Sequence, residues 1–244
     1  MEAEVRVVEV LDEREPTAQS ALGLIVDTFP ARECQPLAEL RSELAEKRLG
    51  LLAAYDFHLL AALGRDDDAP DADDVVPGGD RVVASAIAVY LEGVNAGFIN
   101  YLAVRPSLRG QGLGRALRRR LVEQLRADAR DAEFDDLAWV IGEVRPDNEW
   151  LRRLVREKSA IPFDLTYYHP APVPGAADER FVLYRQPVGD AREELPSDLV
   201  QQLLYAVYRR AYRVSYPLER PAFREMLAEL AARDRVGAHP DYGQ

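Results

Sequence analysis

One hexapeptide limits what this chain can fold into more than any other stretch: Arg109-Gly110-Gln111-Gly112-Leu113-Gly114. It follows an apolar run ending Leu102-Ala103-Val104-Arg105-Pro106 and opens a segment rich in Arg and Leu at helical spacing. The pattern predicts a strand, a glycine-rich turn and a helix in succession. Three alternate glycines let the backbone pass close to a bulky ligand, because no Cβ intervenes. The N–H groups of a helix's first turn lack intrahelical partners, and the helix dipole favours an anion there. The outline is that of a diphosphate cradle.

Two familiar phosphate motifs do not fit. A dinucleotide fingerprint needs a third glycine where Arg115 stands, and the Gly-Lys-Ser/Thr of a P-loop does not occur. The stretch resembles instead the acyl-coenzyme A loop of the GNAT superfamily of N-acetyltransferases, Gln/Arg-x-x-Gly-x-Gly/Ala. Arg109, Gly112 and Gly114 occupy its three specified places.

The rest of the chain reads in an order that agrees. Residues 5–11 alternate as a strand, and residues 16–29 and 37–49 carry apolar side chains at helical spacing. Residues 58–63, 81–91 and 98–104 read as strands, 112–129 as a helix and 137–144 as a strand. Residues 148–158 then form a helix capped at Asn148, and 163–168 and 181–186 form two more strands. Residues 66–80 hold seven aspartates, two prolines and two glycines, which predicts a solvated loop between antiparallel strands. It would be either a solubilising hairpin loop or an acidic lip for a cationic acceptor.

The order β-α-α-β-β-β-α-β-α-β-β is that of the acyl-CoA N-acyltransferase fold. The resemblance thus implies an α/β (α+β) class, with a mixed, mostly antiparallel central sheet flanked by helices. Residues 1–188 would make up the acetyltransferase domain and residues 189–244 a C-terminal helical extension. In that extension residues 196–214 and 221–233 have helical spacing, with Tyr205, Tyr208 and Tyr212 along one stripe. It would pack on the core or on a partner subunit, or help build an acceptor pocket.

The same resemblance implies acetyl-CoA as cofactor. The phosphates would meet the N–H groups of Gly110, Gln111, Gly112, Leu113, Gly114 and Arg115, with Arg109 beside them. Leu102 and Val104 would offer main-chain groups to the pantetheine. Glu143-Val144-Arg145-Pro146-Asp147-Asn148 resembles the Glu-Val-Arg-x-x-Asn string of the ribosomal-protein alanine acetyltransferases. Asn148 would then reach the cofactor besides capping its helix.

Moving an acyl group from a thioester to an amine requires a neutral amine, a polarised carbonyl and a proton for the departing thiolate. A carboxylate can take the ammonium proton, and an N–H aimed at the developing oxyanion stabilises it. The resemblance implies Glu143 as the base and the Leu102 N–H as the oxyanion donor. Against this, Glu143 could simply face solvent or bind Arg145. Other members carry a glutamate on the cradle strand, where this chain has Phe98 with Asn100 nearby; Glu92 is the reserve candidate. The usual proton-donating tyrosine falls at Val155 or Arg156, neither of which can serve. Tyr167 and Tyr168 are the available substitutes, with Tyr168 placed in the catalytic set. Cys34 lacks a neighbouring histidine and is not expected to form an acyl-enzyme.

Composition narrows the partners. A net charge of -11 over 244 residues argues against nucleic acid and suits a cationic acceptor. One cysteine excludes an internal disulfide, and three scattered histidines offer no metal-ligand spacing. No apolar run is long enough to span a membrane and the first residues do not read as a signal peptide, so the expectation is a cytoplasmic protein. A homodimer is compatible with this reading. The leading expectation is an acetyl-CoA-dependent N-acetyltransferase acting directly on a small-molecule or peptide amine. The alternative is an acyl-CoA-binding regulatory module with weak or no activity.

Overall fold

The computed structural model describes residues 5–51, 57–65, 80–173 and 175–242. The aspartate-rich stretch lies outside them except for Asp80. The hydrogen-bonded strand order is β1 (Arg6–Glu9), β2 (His58–Gly64), β3 (Arg81–Leu91), β4 (Ala96–Val104), β5 (Trp139–Val144), β8 (Glu179–Pro187) and β6 (Ile161–Pro162). Strand β7 (Tyr167–His169) also pairs with β8. The β1–β2, β2–β3, β5–β8, β6–β8 and β7–β8 pairs are antiparallel, and β4–β5 is parallel. A parallel pair needs a crossover connection, which helix α3 (Leu113–Asp131) supplies. The expected mixed, mostly antiparallel sheet flanked by helices is what the chain adopts.

By packing, the chain divides into two units. The first comprises the described residues up to Val89 together with Ile99–Leu125. Its β2 is buried at every position and its β3 at all but the first, so both are largely apolar runs, with His58 and Ser85 as polar members. Helix α1 (Pro16–Thr28) buries Ala18, Ala21, Leu22 and Ile25, the 3–4 spacing of one helical face. Helix α2 (Leu37–Arg48) buries Leu40, Glu43 and Leu44. Polar clusters interrupt this apolar interior, among them the buried Gln35–Glu43 pair and a group around Glu9. Glu9 accepts from His58 Nδ1 and Lys47 Nζ, each at 3.0 Å, and from Gln124 Nε2 at 2.7 Å.

The second unit comprises Tyr90–Phe98 and the described residues from Arg126 on. Its backbone is the β5–β8 pair, in register from Trp139 opposite Pro187 to Val144 opposite Val182. Helix α4 (Glu149–Arg156) starts at Asn148, whose side chain accepts from the Leu151 N–H at 3.2 Å. It buries Leu151 and Leu154 in a cluster with Ala160, Val182 and Tyr184. Of the strand expected over 163–168 only Tyr167 and Tyr168 lie in one, β7, while β6 precedes that range; both pieces pair with β8. Between them the Asp164 N–H turns away to donate to the Gly237 carbonyl, so pairing with β8 lapses.

The C-terminal residues form part of this second unit. A short sheet pairs β9 (Leu195–Pro196) with β10 (Arg235–Val236). Helix α5 (Ser197–Ala206) packs with α6 (Pro221–Ala231), Tyr205 and Phe223 meeting at 6.3 Å between ring centroids. The helix expected to run unbroken to residue 214 changes at Val207, where residues Val207–Ala211 wind as a π-helix. No helix among the described residues is long and apolar enough to cross a membrane.

Candidate active site

The cradle belongs to the first unit. After β4 the chain makes a 3-10 turn at Pro106–Leu108, then passes through Gly110 at φ +82° and Gly112 at φ +84°. Both values lie in the left-handed region that a Cβ disfavours, so these two positions require glycine for conformation. The first bond of α3 runs from the Ala116 N–H to the Gly112 carbonyl at 3.0 Å, leaving the amides before it at the helix start. A Cβ at Gly110 or Gly112 would meet nothing within 4 Å, so the turn leaves space beside its amides. Gly114 serves differently. A Cβ there would lie 3.3 Å from Leu102 Cδ2, so this glycine lets α3 close onto β4.

Strand β4 alternates as it approaches the turn. Tyr101 and Ala103 are buried on one face, while Leu102 and Val104 are half-buried on the other. Its pairing with β5 covers Ala96–Phe98 against Trp139–Ile141, and β4 then runs six residues further to Val104. Arg109 is exposed, its Nε 3.4 Å from the Val104 carbonyl, and Gln111 and Arg115 are exposed beside it. Beyond the first turn Leu117, Leu121 and Leu125 form the buried stripe of α3. Cys34 is buried at 3% exposure and bonded to Tyr101, and burial pushes its thiol up to about 11. That is a packed thiol, not a nucleophile.

The second unit holds Glu143. It neither faces solvent nor binds Arg145, whose guanidinium goes to Glu179 at 3.0 Å and lies over Phe181. Its carboxylate is 5% exposed and accepts three hydrogen bonds. The Tyr167 hydroxyl donates to Oε2. His169 Nδ1 and the Tyr212 hydroxyl meet Oε1, the latter at 2.7 Å. Opposite a carboxylate Nδ1 is the ring nitrogen that carries the proton. Tyr167 and His169 sit two apart on β7 and so share a face. The aromatic rings hold each other in place: His169 stacks on Phe181 at 5.0 Å and meets the edge of Tyr212 at 4.9 Å, and Tyr212 meets Phe98 at 5.7 Å. Burial, and then the Glu143 charge, hold the Tyr167 hydroxyl far above its ordinary range, so it stays protonated as a donor.

Tyr168 points to the opposite face of β7 and donates to Glu225 at 3.2 Å. The structure therefore brings Glu143 together with Tyr167, His169 and Tyr212 and not with Tyr168. These partners lie 24, 26 and 69 residues from Glu143, separations at which no short motif could point to them. Val155 packs against the Leu151 cluster, and α4 carries no hydroxyl side chain. Glu92 is half-buried in the 3-10 turn Glu92–Val94. On the Tyr168 side lies an open groove of about 610 Å³, bordered among others by Asp178, Tyr216, Glu219, Arg220 and Glu225.

Comparison with known families settles the lineage. The Acetyltransferase (GNAT) family model matches residues 37–158, half of the chain. The chain belongs to the GNAT acetyltransferase family. A GNAT relative from Bacteroides thetaiotaomicron shares its fold at a TM-score of 0.57, with 17% identity over 86% of this chain and 99% of the other. A protein from Acinetobacter baylyi, assigned as an acetyltransferase, matches at a TM-score of 0.50, with 12% identity over 78% and 97% of the two chains. No curated protein sequence matches. As a GNAT member the chain carries an acetyltransferase domain, and the matched region includes the cradle turn, Glu143 and Asn148.

Proposed function

We propose that the protein is an acetyl-CoA-dependent N-acetyltransferase that passes an acetyl group directly to an amine of a small molecule or peptide. The observation that carries this reading is the pair of left-handed glycines, Gly110 and Gly112, opening α3 within the family-matched region. The open space beside them fits a diphosphate approaching the amides of Gly110, Gln111, Gly112, Leu113, Gly114 and Arg115, with Arg109 as counter-charge. Bound there, acetyl-CoA supplies an activated thioester.

The chain supplies the rest. Main-chain groups of Leu102 and Val104 align the pantetheine, and the Leu102 N–H serves the developing oxyanion. Asn148 approaches the cofactor from the start of α4. Glu143 is the base for the acceptor nitrogen. A carboxylate offers about four lone-pair sites, and three donors leave one for a proton. A cationic acceptor suits the net charge of -11.

A second reading, a non-catalytic acyl-CoA-binding module, is favoured by the packed Val155 and by the absence of a hydroxyl on α4. Calorimetric titration with acetyl-CoA, run beside a thiol-release assay over a broad amine panel, separates the two. Amine-dependent thiol release supports the enzyme. Tight binding with no turnover supports the module, and no binding overturns both.

A further inference from the structure

We propose that the groove on the Tyr168 side of β7 is a binding site for a small organic cation, an ammonium or guanidinium group carried on an apolar or aromatic body. The proposal goes beyond the acetyl-transfer reading. Side chains alternate along a strand, so Tyr167 and His169 turn to Glu143 while Tyr168 turns to the groove. The groove is therefore built on the face of β7 that Glu143 does not share.

Two stretches of the second unit wall the groove. One is the connector between β7 and β8, where Gly175, Ala176 and Ala177 carry little side chain and leave room for an occupant. The other runs from Val214 through Tyr216 into the start of α6. Arg220 clamps the two together. Its Nη1 donates to Asp178, its Nη2 donates to the Ala171 carbonyl at 3.2 Å, and Asp178 also accepts from the Ala171 N–H at 2.9 Å. The volume of about 610 Å³ lies within the range of small-molecule sites.

Charge selects the occupant. The lining holds one cation and three carboxylates. The cation, Arg220, is paired with Asp178, so Glu219 and Glu225 carry a surplus of negative charge. Both are exposed, and neither has an ion-pair partner among the described residues. The neighbouring guanidinium groups are engaged by main-chain carbonyls: Arg209 donates to Val214 and Ser215, and Arg224 to Leu218 and Glu219. Tyr168 donates to Glu225 at 3.2 Å, which sets an aromatic ring beside that carboxylate, and Tyr216 is 69% exposed. Tyrosine rings with carboxylates beside them attract an organic cation through charge and ring quadrupole together. An anion would meet the same carboxylates and a guanidinium already paired.

The probe is benzyltrimethylammonium, whose nitrogen carries no proton and so cannot be acetylated; phenylacetate and benzyl alcohol are its anionic and neutral counterparts. Each is titrated into the full chain without acetyl-CoA, and two-dimensional NMR follows the backbone amides. The cation should give saturable shifts centred on Ala176, Ala177 and Ser215, with a Kd of about 1–10 mM for a ligand of this size. Added salt should weaken it by screening the carboxylates. Glu219→Gln, Glu225→Gln and Tyr216→Ala, each checked to melt as the wild type does, should raise that Kd about two- to fivefold. Glu123→Gln, on α3, should leave it unchanged. The proposal is overturned if the cation gives no saturable shift, if phenylacetate or benzyl alcohol binds as tightly, or if the three groove variants bind it as the wild type does. No acetyl group moves in this experiment, so its failure leaves the acetyl-transfer reading standing, and a chain that acetylates no amine can still bind the probe.

Discussion

Glu143 and His169 face each other with only 5% and 2% of their side chains exposed, across the intervening strand β8. An ionisable carboxylate so far from water persists only where donors replace its hydration, and here there are three.

The two ends of such a contact are not equivalent. Glu143→Ala leaves the fully buried Tyr167 hydroxyl without its acceptor, at a cost of about 1–3 kcal/mol. For a chain of this length each kcal/mol lowers the melting temperature by about 2–4 °C. Tyr167→Phe removes the donor, keeps the ring and leaves Glu143 two partners, so it should cost less. Calorimetric melts of both variants check this, and equal losses would contradict it.

Gly112 has φ +84°, a conformation that a β-branched residue tolerates badly. Gly112→Val must therefore rebuild the turn that presents the helix amides. Its acetyl-CoA affinity should fall at least about tenfold, which corresponds to about 1.4 kcal/mol. Gly23, inside α1 with no atom within 4 Å of a Cβ, is the control. Gly23→Ala should gain about 0.5–1 kcal/mol of stability and bind acetyl-CoA as the wild type does. Titration calorimetry reads both affinities.

In the first unit the bond from His58, helped by the charge of Lys47, lowers the Glu9 carboxyl from 4.5 to about 2, against the opposing effect of burial. A carboxyl depressed in the folded state contributes stability that is fully present above 4.5 and is lost as pH falls toward 2. Glu9→Gln should flatten the stability profile in that acid window and lower stability at neutral pH. Urea unfolding at a series of pH values measures it, and an unchanged acid slope would show that Glu9 is not the group responsible.

Cys34 is buried, with its thiol pushed up to about 11. A thiol-specific reagent should therefore label the unfolded chain and leave the native one unmodified. Cys34→Ala should retain full acetyl transfer, because direct transfer needs no acyl-enzyme. Loss of turnover in that variant, with binding intact, would reverse the assignment.

The sequence made the cradle legible because its constraint is local. Three glycines after an apolar strand specify a turn by steric rules alone, and Gly110 and Gly112 do adopt positive φ. Helical spacing placed α1, α2, α3 and α4 for the same reason, and Asn148 caps α4 as its position implied. The partners of Glu143 were not legible. Tyr167, His169 and Tyr212 reach it through β-pairing and through a π-turn that apolar spacing cannot foretell. The tyrosine stripe looked uniform in sequence, yet Tyr205 is 47% exposed while Tyr208 and Tyr212 are buried. Which tyrosine meets which acceptor is decided by the fold of distant segments.

The proposed activity is transfer of an acetyl group from acetyl-CoA in the cradle to an amine. Thermal unfolding with and without acetyl-CoA, paired with thiol detection on addition of amines, tests it most directly. Ligand at a hundredfold excess over its Kd contributes about 2.7 kcal/mol, which is about 5 °C or more in melting temperature for a chain of this size. That rise is expected in the wild type, together with its loss in Gly112→Val and thiol release only when an amine is present. An unchanged melting temperature at saturating acetyl-CoA would contradict it.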